Sequence, residues 1–179
     1  MDIDFNKRKT FHPSEEQLKQ IEDELILFEK EPSYNEIIDN IYVGNYRTAL
    51  DAELLIKEGI TYILNCGNGL KNFYENENIF KYLYIPIYDS ESEKLERHLE
   101  KTNKFIKEGS DNGNKILIHC GAGISRSTTI CLMYMIIEKK MKYHEAYMIM
   151  KQKRPCALPN MGFRKLLEQK SYEIHKEIC

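Results

Sequence analysis

The stretch Lys115-Ile116-Leu117-Ile118-His119-Cys120-Gly121-Ala122-Gly123-Ile124-Ser125-Arg126-Ser127-Thr128-Thr129-Ile130-Cys131 decides how this chain is read. Its first part is a buried-strand pattern, Ile116-Leu117-Ile118, entered from the turn residues Asp111-Asn112-Gly113-Asn114. Its last part runs on through Thr128–Ile137 as small and apolar residues, long enough for a buried helix. A strand therefore enters a tight loop, and the loop enters a helix. The loop carries a cysteine at its start and an arginine at its end.

That order of elements has a chemical meaning. Gly121 and Gly123 let a short loop turn its backbone N–H groups inward as an anion nest. The helix that follows aims the positive end of its dipole at the same place. Arg126 adds a planar fork that fits two phosphate oxygens. Cysteines at helix N-termini or beside cations ionise easily. A nucleophile, Cys120, thus stands beside a phosphate cradle, and Ser127 is placed to donate to its sulfur and ease its departure.

Outward from this stretch, strand and helix patterns alternate. Ile41-Tyr42-Val43, Ile60–Asn65 and Tyr82–Ile87 read as strands. Asp51–Glu58 reads as a helix with Gly59 as its C-terminal cap. Leu95–Lys107 and Met141–Arg154 read as helices, and Asn160 opens a last helix that should fray by about Ile174. The alternation predicts parallel pairing with right-handed crossovers. Residues 1–12 are expected to be irregular and loosely held. Ser14-Glu15-Glu16-Gln17 is a capping box, opening a helix with Leu18, Ile21, Leu25 and Phe28 on one face, stopped by Glu31-Pro32. That face packs on the main domain or docks a partner. Met133, Met135, Met141, Met148 and Met150 read as core gap-fillers.

Bulk properties narrow the class. A chain of 179 residues is one domain by length, with room for a short appendage. A net charge of -2 does not fit a nucleic-acid binder. No apolar run is long enough for a membrane span. No signal peptide, myristoylation site or prenylation box is expected. Five irregularly spaced cysteines argue against a disulfide framework and for a reducing compartment, cytoplasmic or nuclear. No His/Cys/Asp cluster offers a metal site, and no cofactor is expected.

His119-Cys120-x-x-Gly123-x-x-Arg126-Ser127 fills every fixed position of the H-C-x-x-G-x-x-R-[ST] signature and resembles the cysteine-dependent protein tyrosine phosphatases. His-Cys-Gly-Ala-Gly-Ile-Ser-Arg-Ser is similar to their dual-specificity branch, and with no kinase-docking domain expected before the catalytic domain the chain resembles its small atypical members. Lys153-Arg154-Pro155-x-x-x-Pro159-Asn160-x-x-Phe163 resembles a further segment of that family, whereas Lys142 departs from its usual helix-capping Ser. The resemblance implies an α/β fold with a central, mostly parallel sheet of about four or five strands and helices on both faces. It divides the chain into an N-terminal extension, 1–36, carrying one amphipathic helix, and a catalytic domain, 37–179.

The resemblance also implies roles. Cys120 is the nucleophile. Arg126 binds phosphate together with the loop Gly121, Ala122, Gly123, Ile124 and Ser125, and Ser127 assists thiolate release. Asp89 in Ile85-Pro86-Ile87-Tyr88-Asp89 matches the general acid, which then serves as base; Glu91 and Glu93 are nearby alternatives. His119 orders the loop. Asn160 either supports the loop or only caps its helix. Cys66 is either a packing thiol or a redox partner of Cys120. The expected reaction is hydrolysis of phosphotyrosine and phosphoserine or phosphothreonine in a phosphoprotein, a protein kinase among the candidates, by a monomer without nucleic-acid or membrane partners. A phosphoinositide or RNA 5′-phosphate substrate, or a non-catalytic phosphopeptide-binding module, is the alternative. Uncharged side chains at Gly121, Ala122, Ile124 and Ser125 favour protein.

Overall fold

The computed structural model describes residues 2–25 and 32–178. Five strands form one sheet: β1 (Tyr34–Ile38), β2 (Ile41–Gly44), β3 (Tyr62–Gly67), β4 (Lys81–Ile87) and β5 (Ile116–His119). Their order is β1-β2-β5-β3-β4. β5 lies in the middle, parallel to β2 and β3, and β4 is parallel to β3. Only β1 is antiparallel, against β2. The α/β class and the mostly parallel sheet thus agree with the expectation. The boundary expected after residue 36 falls inside β1, so residues on both sides of it share this edge strand.

Strand alternation explains the unbroken apolar run at the centre. Ile116 and Ile118 join one buried cluster and Leu117 joins the other, so β5 is covered on both faces. The first face carries α5 (Glu96–Ser110), α6 (Arg126–Ile137), α7 (Tyr143–Lys153) and α8 (Met161–Ile178). The second carries α2 (Glu15–Leu25), α3 (Tyr46–Leu50) and α4 (Ala52–Glu58). α6 is buried along Ser127–Ile136, which is why its sequence lacks an amphipathic period. Thr128 and Thr129 sit there without cost because their hydroxyls donate to the carbonyls of Ile124 and Ser125.

Several expectations are corrected. Residues 5–10 are not loose: Phe5–Thr10 forms a short helix, α1, capped by Asp4. Arg8 in it is buried and donates to the carbonyls of Ile79 (2.7 Å), Leu55 (3.5 Å) and Ile60. Its guanidinium also stands 4.9 Å from the Phe80 ring centroid. No local pattern marks an arginine whose partners lie 47 to 71 residues away. α8 continues to Ile178 rather than fraying near Ile174. Met148 is exposed, not a core filler. The capping box holds: Gln17 N–H donates to Ser14 Oγ (3.2 Å) and Ser14 N–H to Gln17 Oε1 (2.9 Å). Of the expected α2 stripe, Ile21 is buried in the second cluster while Leu18 is exposed. Phe28 and Glu31 lie outside the described residues, as does the Leu25 side chain.

Candidate active site

The helices leaving β2 and β5 turn to opposite faces, which opens a crevice at the C-terminal ends of the strands. The loop 120–126 occupies it. Gly123 takes φ +69°, and a Cβ there would stand 2.5 Å from the Gly44 carbonyl oxygen, so no side chain fits. The loop carbonyls are engaged from outside. Gly121 O accepts from Tyr46 N–H (2.7 Å) and Ile124 O from Leu158 N–H (2.8 Å). Gly123 O accepts from Arg154 Nε (2.7 Å) and Ala122 O from Arg154 Nη2 (3.5 Å). A peptide N–H points opposite to the carbonyl of its own unit. Four carbonyls held outward therefore leave N–H groups facing the loop's interior, as an anion nest needs.

Arg154, only 1% exposed, is a brace that the sequence reading missed. It also reaches Asn35 Oδ1 (2.8 Å) and Ser33 Oγ (3.3 Å), tying the loop to the start of β1. Its position before Pro155 was legible as a helix stop; its partners were not.

Cys120 is 2% exposed, and its Sγ lies 3.3 Å from Ser127 Oγ. His119 is buried, stacks on Tyr46 (5.9 Å between centroids, 15°) and lies with Nδ1 3.4 Å from Cys120 O. Burial pulls its imidazole down to about 4, and the Arg126 charge pulls the same way. His119 is therefore neutral at pH 7.

Arg126 starts α6 and donates through Nη1 to Ile87 O (3.2 Å). Its Nε is buried, has no hydrogen-bond partner among the described residues, and lies 3.8 Å from Asp89 Oδ2. That distance is too long for a hydrogen bond, so a donor is held in reserve beside the nest.

Asp89 joins this group from the loop after β4. Its Oδ1 accepts from Ser125 Oγ (2.7 Å) and from Asn160 Nδ2 (2.9 Å). Asn160 does both things its sequence left open. Its Oδ1 caps α8 by accepting from Phe163 N–H (3.0 Å), and its own N–H donates to Ser125 Oγ (3.2 Å). Ser125 was expected only as part of the phosphate loop; its hydroxyl is the hub between Asp89 and Asn160. Gly162 makes this junction possible, since a Cβ there would stand 2.1 Å from Glu91 O. Of the alternative acids, Glu93 is paired with Arg97 (2.8 Å) and Glu91 is exposed.

Cys66 is fully buried at the end of β3. The β3–β5 register sets Asn65 beside His119, so Cys66 follows next to Cys120. Burial, with Cys120 adding, pushes its thiol well above the ordinary value. Among the described residues, no helix is long and apolar enough to cross a membrane, and no three His, Cys, Asp or Glu side chains are grouped for a metal ion.

Residues 41–173 match the dual specificity phosphatase, catalytic domain, family model. Human dual specificity protein phosphatase 22 is 38% identical over 143 residues, which are 79% of this chain and 76% of that one. Among solved structures, DUSP15 is 29% identical with a TM-score of 0.72, over 80% of this chain and 93% of that one. A mouse putative dual specificity phosphatase is 27% identical with a TM-score of 0.75, over 85% and 96%.

Proposed function

The chain belongs to the dual specificity phosphatase family, and from that premise we propose that it removes phosphate from phosphotyrosine and phosphoserine or phosphothreonine of proteins through a phosphocysteine on Cys120. The observation that carries this reading is the linkage of Asp89, through Ser125 and Asn160, to the loop that presents Cys120 and Arg126.

In the first step the Cys120 thiolate attacks phosphorus. The S–P bond forms, the P–O bond to the substrate breaks, and Asp89 gives its proton to the departing oxygen. Arg126 Nε and the inward N–H groups take the phosphoryl oxygens, whose charge is spread in the transition state. In the second step Asp89 takes a proton from water, the new O–P bond forms and the S–P bond breaks. The electron pair returns to sulfur, where the Ser127 hydroxyl at 3.3 Å donates to it. Neutral His119 contributes order rather than protons.

The loop side chains Gly121, Ala122, Ile124 and Ser125 carry no charge, which favours a phosphoprotein, a protein kinase among the candidates, over a polyanionic inositide or RNA end. The place of Cys66, one residue past the pairing of Asn65 with His119, is what supports a redox role. Peroxide converts Cys120 to a sulfenic acid, and the Cys66 thiol displaces water to form a disulfide. An unoxidised Cys66 beside an oxidised Cys120 in mass mapping rejects that role.

The test is hydrolysis of an aryl phosphate and a phosphopeptide panel by wild type and Cys120→Ser. Turnover of both by wild type and by neither in the variant is the expected result. Undiminished turnover in Cys120→Ser overturns the mechanism. Tight phosphopeptide binding without any turnover by wild type identifies a binding module instead.

A further inference from the structure

Three of the large apolar side chains most exposed on the described surface border the catalytic linkage: Tyr88 (60% exposed), Leu158 (52%) and Met161 (52%). Each is tied to it through the backbone. Tyr88 precedes Asp89. Leu158 hangs from the N–H that holds Ile124 O at 2.8 Å. Met161 follows Asn160, the residue that holds both Asp89 and Ser125. We propose that Tyr88, Leu158 and Met161 form an apolar rim that selects phosphopeptide segments with large apolar residues next to the phosphorylated one. This rests on the phosphatase reading of the same site.

The occupant follows from chain geometry. Extended residues advance roughly 3.3–3.6 Å each, so with the phosphoryl group in the nest the residues one and two positions away lie over the loops that carry this rim. Water leaves apolar surface on both partners when those residues are apolar. An acidic neighbour instead meets exposed Glu91 on the same loop, like charge against like. Lys94 and Arg97 line the groove beyond Tyr88, but Arg97 is already paired with Glu93 at 2.8 Å. The phosphate cradle itself has no side chain that reads the neighbours, so discrimination is left to the rim.

The test compares phosphopeptides of one length that differ only at the two positions on each side of the phosphorylated residue: Leu or Phe, Gln, and Glu. Wild type is set beside Leu158→Ser/Met161→Gln and the triple variant that adds Tyr88→Ser, with an aryl phosphate as a substrate lacking neighbours. The expected result is a kcat/KM roughly tenfold or more higher for the apolar set. That preference falls to a few-fold or less in the triple variant, chiefly through KM, while aryl phosphate turnover is unchanged and shows the variant folded. Equal kcat/KM across the peptides with wild type active on aryl phosphate overturns the rim alone; so does a preference that survives the triple variant. Wild-type specific activity that falls with enzyme concentration, and is restored by the triple variant, assigns the rim to a second copy and also overturns it. Absence of aryl phosphate turnover by wild type overturns the phosphatase reading and the rim together.

Discussion

Asn160 Nδ2 lies 2.9 Å from Asp89 Oδ1 although 71 residues separate them. One side chain thus holds the candidate acid with its amide and caps α8 with its carbonyl (3.0 Å to Phe163 N–H). Asn160→Ser separates the two tasks, because serine is also a good N-cap. We expect its thermal midpoint to stay near that of wild type while kcat falls by about three- to tenfold, the worth of one hydrogen bond. Ser125→Ala should lower kcat by a similar factor and, because it leaves the Asn160 N–H without its acceptor, lower the thermal midpoint as well. Asp89→Ala should cost about 10²–10⁴-fold. In all three the loss should grow with the basicity of the leaving group. A loss that is flat across leaving groups would falsify the acid assignment.

Ser127 Oγ, 3.3 Å from Cys120 Sγ, is expected to act after the first bond is broken. In Ser127→Ala the phosphoenzyme should accumulate, giving a burst of alcohol equal to the enzyme concentration and a steady rate lower by about ten- to a hundredfold, as expected for a hydrogen bond to a charged group. Rapid-quench kinetics reads both phases. A uniform slowing without a burst rejects the role.

Arg8 and Arg154 are two buried arginines on opposite faces of the sheet, and both end on backbone carbonyls. Replacing either with Met leaves acceptors unpaired and should cost about 3 kcal/mol in urea unfolding. They differ in what else they move. Arg154→Met releases the carbonyls of Ala122 and Gly123 and should lower kcat/KM of the folded protein. Arg8→Met should leave kcat/KM unchanged below its unfolding transition. Equal losses of activity in both would reject the assignment of Arg154 as a loop brace.

His119 links stability to pH. Burial holds its folded value at about 4, below the ordinary 6.5. The unfolded chain therefore takes up the proton first as pH falls. Stability from this group is complete above about 6.5 and is lost between there and 4, by up to roughly 3 kcal/mol. Urea midpoints at pH 7, 5.5 and 4.5 should fall more steeply for wild type than for His119→Gln. Parallel slopes would show that the buried neutral imidazole contributes nothing to acid sensitivity.

The sequence by itself determined the strand-loop-helix unit at Ile116–Ile137. A covered central strand, a glycine-turned loop and a buried helix each leave a local pattern, and Cys120, Arg126 and Ser127 are placed by that unit alone. Asp89 became a candidate only through the resemblance of Ile85–Asp89 to the family's segment, whereas the capping box at Ser14 was legible from its own four residues. Tertiary structure alone decided what holds these groups. Ser125 reaches Asp89 across 36 residues, Arg154 reaches Gly123 across 31, and Arg8 reaches Ile79 across 71. The first two pairs meet because the sheet order sets the ends of β2, β3 and β5 side by side and the start of α8 against the loop after β4. A local pattern records what a segment can form. Which donor satisfies which distant carbonyl is fixed only when the chain closes around them and most buried polar groups have to find partners.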